Sequence, residues 1–225
     1  MDGASLVRVT SGSSIDPRSA AAWANAFDAT QRVESEWRDW VAERPRAERF
    51  ALFGAFAFAR GRHGGQRRRG SATPFWVHPV RVAIGLAGWG EEDPVILQAA
   101  LLHDVVEDTP TTVDEVKAGF GPQVASVVEQ VTAPVGPEAR AHYIGLADVP
   151  LAVRRLKLAD RADNLRSAEA LVIRAGARNR SWAAGYLDRS EKLIEIIAPG
   201  IADGPVAEAR RCASALRRVV EPVAG

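Results

Sequence analysis

The chain has 225 residues, 47% hydrophobic and 25% charged, which is the composition of an ordinary soluble globular protein of about one domain. Its 29 basic and 28 acidic residues give a net charge of +1, so overall charge offers no case for a nucleic-acid or membrane surface. The single cysteine, Cys212, excludes an internal disulfide and a thiolate metal cage, and it fits a reducing compartment. No signal-peptide core is evident and the longest apolar run, 50–59, is too short to span a bilayer, so we expect a cytoplasmic protein.

Helical patterns follow one another along most of the chain. Residues 1–16 are rich in Ser and Gly and predict a disordered N-terminus. Aromatic residues at helical spacing predict an N-terminal helical arm over 17–45, and the main domain is expected over 46–225. A helix over 46–62 carries Ala and Phe on nearly every side and is therefore expected to be buried. A basic loop punctuated by glycines follows at 61–70.

Proline, glycine and capping residues delimit the later helices. We predict helices at the following positions: 74–88, 93 to about 109, 111–120, 122–132, a long one from 150, 178–197 and 205–220. Residues 133–149 are expected to form a loop with some helical content. No segment alternates with a period of two and no internal repeat is visible. The predicted fold is therefore all-α.

The sequence LLHDVVEDT at 101–109 places several reactive side chains in apolar surroundings. On a helical wheel with His103 at zero, Glu107 falls at about 40°, Asp104 at about 100° and Asp108 at about 140°. These four side chains would share one side of the helix, opposite the aliphatic residues. Carboxylates in apolar surroundings are costly unless they are paired or bound to a cation, which favours a metal or proton-transfer site over a solvated acidic surface.

His78 and Asp160 lie in other predicted helices that are also apolar. With His103 and Asp104 they offer two nitrogens and two carboxylates, a set that suits Mn, Fe or Zn better than Mg or Ca. The run of three arginines at 67–69 stands just before the His78 helix. Such a run is often a solvated patch or a nucleic-acid contact, but its position here favours binding of phosphate, which arginine recognises with a forked pair of donors.

These segments resemble a known family. The pattern H…HD…D is the signature of the HD-type metal phosphohydrolases, which are helical bundles. Four segments closely resemble the hydrolase domain of RelA/SpoT enzymes, which break down the alarmones ppGpp and pppGpp: 63–79, 99–109, 120–132 and 157–167. The likeness covers about 46–198, and no synthetase domain follows it before Gly225. The chain is therefore similar to the stand-alone small alarmone hydrolases, such as the metazoan SpoT homologue.

The resemblance implies roles for the matching residues. The ligands of one Mn²⁺ per chain would be His78, His103, Asp104 and Asp160. The acidic pair that positions and activates the attacking water would be Glu107 and Asp108. The nucleotide pocket would be lined by Arg68, Arg69, Arg161, Asn164, Ser167 and Tyr186. Asp163 departs from the family, which usually has His or Tyr there, and it is expected to add negative charge close to the pocket.

The activity that the resemblance implies is removal of the 3′-pyrophosphate from ppGpp or pppGpp, which yields GDP or GTP and pyrophosphate. The expected partner is a small nucleotide, with no nucleic acid and no membrane, and the resemblance leaves room for a homodimer. Two alternatives stay open. The same pocket could act on another 3′- or 2′-phosphorylated nucleotide such as ppApp or NADPH, or the chain could be a non-catalytic nucleotide sensor. The complete set of matching His, Asp and Glu residues argues against the sensor.

Overall fold

The computed structural model describes residues 26–221, which form eleven α-helices and one turn of 3₁₀ helix at Gly176–Asn179. The helices are, in chain order, α1 (Ala26–Ala42), α2 (Arg46–Arg62), α3 (Val77–Gly88), α4 (Pro94–Leu102), α5 (Val105–Asp108), α6 (Val113–Phe120), α7 (Pro122–Val131), α8 (Ala139–Gly145), α9 (Leu151–Ala175), α10 (Arg180–Ile197) and α11 (Asp203–Val220). In this part of the chain, β pairing is limited to one isolated bridge between Arg67 and Pro74. The predicted all-α fold is confirmed.

Two apolar clusters hold the helices together, and the long helix α9 belongs to both. The first cluster joins α1 to α7 with the beginning of α9, and Trp37, Leu97 and Leu156 are buried in it. The second joins the rest of α9 to α10 and α11 and includes Leu165 and Ile194. Every residue from 156 to 163 on α9 is buried. Charged side chains in that stretch must therefore find partners inside the protein.

Local signals in the sequence explain where several helices begin and end. The Asp93 side chain accepts a backbone hydrogen bond in the first turn of α4 at 2.8 Å, as predicted. Thr112 and Glu115 form a capping box at the start of α6. Gly121, which separates α6 from α7, has a φ of 89°, a left-handed conformation that favours glycine. Helix α9 begins directly after Pro150, also as predicted.

Helix α2 is not buried on nearly every side, and that prediction was wrong. Leu52, Ala55 and Ala59 are buried, but Phe50 is 68% exposed and Phe53 is 41% exposed. The three buried residues have the i, i+3, i+7 spacing of a single helix side, so only that side reaches the core. Composition alone overstated the burial because it ignores which side of the helix each residue occupies.

Two further helix limits differ from prediction. Helix α3 begins at Val77 rather than at residue 74, because residues 73–75 pair with the basic loop: the Arg68 amide donates to Thr73 at 2.9 Å and the Phe75 amide donates to Gln66 at 3.0 Å. Helix α4 ends before the reactive motif is complete. The predicted disordered segment 1–16 lies outside the described residues. Between 26 and 221, the longest apolar helical stretches fall short of what a membrane span requires.

Candidate active site

Two histidines and two aspartates from three separate parts of the chain converge in the interior. His78 lies in the first turn of α3, His103 and Asp104 between α4 and α5, and Asp160 near the middle of α9. The Nε2 atom of His78 lies 3.3 Å from Asp160 Oδ1 and 3.5 Å from Asp104 Oδ2. The Nε2 atom of His103 lies 3.1 Å from Asp104 Oδ1 and 3.8 Å from Asp160 Oδ1. The structure thus brings together the four side chains that the sequence pattern predicts as metal ligands.

The helix is interrupted at His103 and Asp104, so the single continuous helix predicted from 93 to about 109 was wrong. Helix α4 ends at Leu102 and α5 begins at Val105; between them His103 keeps helical angles, with φ −60° and ψ −28°, and Asp104 departs moderately, with φ −98° and ψ −6°. The His103 side chain turns back and its Nδ1 donates to the Ala100 carbonyl at 2.8 Å. Successive side chains on a regular helix diverge by about 100°. Here the side chains of two consecutive residues meet, with His103 Nε2 3.1 Å from Asp104 Oδ1.

The donor set of this cluster fits a divalent cation. Each histidine donates a hydrogen bond from Nδ1 to an oxygen. His78 donates to the Asp163 carboxylate at 2.6 Å, and His103 donates to the Ala100 carbonyl at 2.8 Å. The Nε2 atoms of both rings are buried and have no hydrogen-bond partner among residues 26–221. His78, His103 and Asp160 each offer one ligand atom within 4.8 Å of the others. Buried imidazole nitrogens beside carboxylates, with Nδ1 fixed by an acceptor, are what a metal site of this type requires.

The electrostatics of the cluster favour added positive charge. Burial, the largest influence, disfavours a charged His103 ring, but Asp104 and Asp160 outweigh it and raise the pKa of His103 to about 10. Burial also works against ionisation of Asp104, yet His103 and His78 hold the pKa of that carboxyl below its usual range. A field that retains a proton on a buried imidazole also stabilises a metal cation at the same place.

Asp160 is held in place by two neighbours on its own helix. Lys157 Nζ lies 3.2 Å from Asp160 Oδ2 and donates to the Val131 carbonyl, also at 3.2 Å. Asn164 Nδ2 donates to Asp160 Oδ1 at 2.5 Å. Burial, the largest influence, would raise the pKa of Asp160, but Lys157 and the histidines keep it well below its usual range. Lys157 therefore pairs with a candidate ligand and does not reach into the cavity beside the cluster.

Asp163 belongs to a buried ion pair that sequence reasoning missed. Arg81 donates to it twice, from Nε to Oδ1 at 2.6 Å and from Nη2 to Oδ2 at 2.8 Å. Burial opposes ionisation of Asp163, but Arg81 and then His78 hold its pKa far below the usual range. The expected negative charge near the pocket is thus offset by an arginine. Arg81 and Asp163 each lie three residues after a predicted ligand, His78 and Asp160, and this one-turn spacing is the signal that could have found them.

A cavity of about 600 Å³ adjoins the cluster. Its wall carries six arginines and one acidic side chain, Asp108. It reaches the cluster through Asn164, which contacts both Arg68 and Asp160. Of the residues predicted to bind nucleotide, five line this cavity: Arg68, Arg69, Asn164, Ser167 and Tyr186. The sixth, Arg161, is buried behind the wall, with its guanidinium 5.0 Å from the Tyr186 ring.

Arginine and aromatic side chains alternate along the cavity wall. Arg68 donates to Asn164 Oδ1 at 2.5 Å and its guanidinium lies 5.4 Å from the Phe75 ring. The Arg69 guanidinium lies 4.6 Å from the Trp182 ring, which stacks on Tyr186 with centroids 5.5 Å apart and planes 18° apart. Trp182 was missed from sequence because a Trp and a Tyr four residues apart also describe a helix side that packs in the core. Such rings can stack on a nucleobase, and the arginines can bind phosphate.

Glu107 and Asp108 point to different surroundings. Asp108 lines the cavity, and Glu107 Oε2 accepts a hydrogen bond from the Ala133 amide at 3.2 Å. Burial, followed by the charges of Asp104 and Glu107, raises the pKa of Asp108 to about 6. Gln66 Nε2 donates to the Asp108 carbonyl at 2.8 Å, which ties the basic loop to α5. A carboxylate with this pKa can accept a proton near neutral pH.

Comparisons with known proteins agree with this geometry. Residues 55–135 match the HD domain family. The human guanosine-3′,5′-bis(diphosphate) 3′-pyrophosphohydrolase MESH1 is 38% identical over 149 residues, which cover 61% of this chain and 83% of that protein. The Aquifex aeolicus guanosine-3′,5′-bis(diphosphate) 3′-pyrophosphohydrolase is 39% identical over 121 residues, which cover 50% of this chain but only 17% of that longer protein.

A solved structure gives the same relationship at the level of the fold. A metazoan orthologue of SpoT, reported to hydrolyse ppGpp, superposes with a TM-score of 0.66 and 27% sequence identity. The superposition covers 75% of this chain and 95% of the orthologue. Since most of human MESH1 is matched at 38% identity, the chain belongs to the HD-domain family of guanosine-3′,5′-bis(diphosphate) 3′-pyrophosphohydrolases that includes MESH1.

Proposed function

We propose that this protein is a metal-dependent hydrolase that removes the 3′-pyrophosphate from ppGpp or pppGpp and releases GDP or GTP and pyrophosphate. The observation that carries the proposal is a pair of hydrogen bonds that link the arginine-lined cavity to the His/Asp cluster. Arg68 donates to Asn164 and Asn164 donates to Asp160, each at 2.5 Å. A phosphate bound by the arginines of the cavity would therefore lie beside the His/Asp cluster, where hydrolysis needs it.

We propose one Mn²⁺ per chain as the resident ion, with His78, His103, Asp104 and Asp160 as its ligands. When bound, such an ion acidifies water and polarises a phosphoryl oxygen. Two imidazoles and two carboxylates support a first-row transition metal over Mg²⁺ or Ca²⁺, which prefer oxygen ligands alone.

The acidic pair is proposed to manage the attacking water. Asp108 accepts its proton, which is supported by its position in the cavity wall and by its pKa of about 6. Glu107 is proposed to hold α5 in place against the loop after α7, because its carboxylate accepts a hydrogen bond from the Ala133 amide. Proton acceptance and positioning are thus divided between two adjacent carboxylates.

The arginines and aromatic rings are proposed to bind the nucleotide. The substrate carries several negative charges, and Arg67, Arg68 and Arg69 provide concentrated positive charge on a protein that is nearly neutral overall. Ser167 and Tyr186 are proposed to contact the nucleoside, since both line the same cavity. The buried Arg161 is proposed to hold Tyr186 in place instead of contacting the substrate.

Three other expectations remain proposals. A cytoplasmic location is supported by a single unpaired cysteine, Cys212, which fits a reducing compartment. The division into a disordered segment over 1–16, an arm over 17–45 and a hydrolase domain over 46–225 is supported by the change from Ser/Gly-rich to helical sequence. The homodimer stays a prediction that the mass in solution, measured by light scattering, would test.

The proposal is tested by incubating purified protein with ppGpp in Mn²⁺ and again with EDTA. We expect GDP and pyrophosphate in equal amounts with Mn²⁺ and neither with EDTA. Parallel reactions with ppApp and NADPH define the substrate range. Failure to release product from ppGpp by protein that holds stoichiometric metal would contradict the proposed substrate. Failure of the protein to hold metal at all would contradict the proposed reaction and support the nucleotide sensor.

A further inference from the structure

We infer that Arg81 and Asp163 form a positioning pair that fixes the ring orientation of the proposed metal ligand His78 and keeps its proton on Nδ1. This inference rests on the metal site of the proposed function and extends it to two residues to which that proposal gives no role of their own.

The geometry of the pair leaves Asp163 little freedom. Its Oδ2 accepts from His78 Nδ1 at 2.6 Å and from Arg81 Nη2 at 2.8 Å, and its Oδ1 accepts from Arg81 Nε at 2.6 Å. The side chains of His78, Arg81 and Asp163 are 0%, 8% and 5% exposed. Arg81 Nη2 also lies within hydrogen-bond distance of Ser167 Oγ, at 3.2 Å. A two-pronged ion pair with water excluded holds the carboxylate, and the carboxylate holds the imidazole.

The bond to Nδ1 has a chemical consequence at the other ring nitrogen. With Nδ1–H donated to a carboxylate, Nε2 of His78 keeps its lone pair directed towards Asp104 and Asp160. An anionic acceptor on Nδ1–H makes Nε2 a better electron donor to a metal than a neutral acceptor would. His103, by contrast, donates Nδ1–H to the neutral Ala100 carbonyl. The two proposed histidine ligands therefore differ in the partner of Nδ1, which is an anionic carboxylate for His78 and a neutral carbonyl for His103.

Arg81 stabilises the buried charge of Asp163. A buried carboxylate without a counter-charge is costly and would be drawn towards a nearby cation. Because Arg81 occupies both oxygens of Asp163, the carboxylate stays on the Nδ1 side of His78 and is not available as a fifth metal ligand. The arginine thus acts through the aspartate, and the aspartate through the histidine.

A competing explanation is that the ion pair only fastens α3 to α9. A double-mutant cycle separates the two explanations. It compares wild type with Asp163→Asn, Arg81→Gln and the double variant. Asparagine keeps the shape and an acceptor oxygen but removes the charge. The double variant removes both charges of the pair together, so it is the version expected to fold even if a single variant does not.

The measurement is the Mn²⁺ dissociation constant, from the electron paramagnetic resonance signal of free Mn²⁺, together with the melting temperature. We expect Asp163→Asn and the double variant to bind Mn²⁺ about 10- to 100-fold more weakly than wild type, the usual effect of losing a carboxylate behind a ligating histidine. The melting temperature of the double variant should lie nearer to that of wild type than that of Arg81→Gln. Wild-type Mn²⁺ affinity in the folded double variant would overturn the inference, because a purely structural pair predicts that result.

A matched control comes from another ion pair, which joins Arg155 on α9 to Glu91 in the segment between α3 and α4. Arg155 Nη1 lies 3.1 Å from Glu91 Oε2, and the Glu91 side chain is 10% exposed. Glu91→Gln should change stability but leave the Mn²⁺ dissociation constant unaltered. If the wild type binds no Mn²⁺, the proposed metal site and this inference both fail. If the wild type binds Mn²⁺ and Asp163→Asn binds it equally well, only the positioning inference fails.

Discussion

Asp108→Asn removes the proposed proton acceptor with almost no change in side-chain size. The residue ends α5, and its contact with the basic loop is made by its backbone carbonyl, which accepts from Gln66 at 2.8 Å. The substitution leaves that bond intact. Because Asp108 is not one of the four proposed metal ligands, metal binding should also persist. The variant therefore isolates proton acceptance from folding and from metal binding.

The substitution is expected to lower kcat but not the free energy of unfolding. A positioned general base contributes about 10²- to 10⁴-fold to rate, or about 3–5 kcal/mol, so kcat should fall by that factor. Stability should not fall. Burial first, and then Asp104 and Glu107, raise the pKa of Asp108 from 3.8 to about 6 in the folded protein. Stability from this group is therefore lost as pH rises through that interval, and asparagine avoids the loss, by at most about 1 kcal/mol after allowance for solvent exposure.

The assay compares kcat for ppGpp, bound Mn²⁺ per chain and melting temperature at neutral pH. Asp114→Asn is a matched control, because Asp114 is an exposed acid on α6 that does not line the active-site cavity. The control should keep wild-type turnover. The role assigned to Asp108 is refuted if its Asn variant, with full metal, turns over within about tenfold of wild type. It is also refuted if the variant loses its metal or its helical circular dichroism.

Three further variants test the pocket and the α1 surface. Arg68→Lys keeps the charge but loses the forked guanidinium that reaches Asn164, so steady-state kinetics should show KM raised about tenfold with kcat changed less. Trp182→Ala removes the ring between Arg69 and Tyr186 and should weaken nucleotide affinity about tenfold; an unchanged dissociation constant in a titration with GDP would contradict the stacking role. Burial raises the pKa of Glu36 from 4.5 to about 7, so stability from this group is lost as pH rises across that range. Calorimetry should therefore show Glu36→Gln more stable than wild type by about 1–2 kcal/mol above pH 7 and little changed near pH 4.5.

The convergence of the proposed ligands could be expected from sequence because each is a polar residue in an apolar stretch. That contrast is local, and it survives in the structure at His78, His103 and Asp160, which are all buried. The turn at His103 and Asp104 could not be predicted in the same way. A helical wheel assumes one continuous helix, and the hydrogen bond from His103 to Ala100 that accompanies the break is a side-chain contact that periodicity does not encode.

The cavity was predictable only in part, for a related reason. The arginine run at 67–69 stands out in sequence because three adjacent charges cannot all face a core. Trp182 carries no such signal, since an aromatic residue on a helix is more often part of the core than of a pocket wall. Only the packing of α10 against α9 and the basic loop shows that this ring faces Arg69 across the cavity.

Asp163 shows why the effect of a buried charge depends on its partner and not on its own position. Taken alone, the residue predicts more negative potential beside a site that must bind a polyanion. Its partner Arg81 is 82 positions away in sequence. Their two hydrogen bonds place the guanidinium against the Asp163 carboxylate and neutralise its charge. The potential that a phosphate meets in the cavity is then set mainly by Arg67, Arg68 and Arg69. A carboxylate that looks unfavourable beside a nucleotide pocket thus leaves the positive character of that pocket intact, and it accepts the Nδ1 hydrogen bond of His78, a proposed metal ligand.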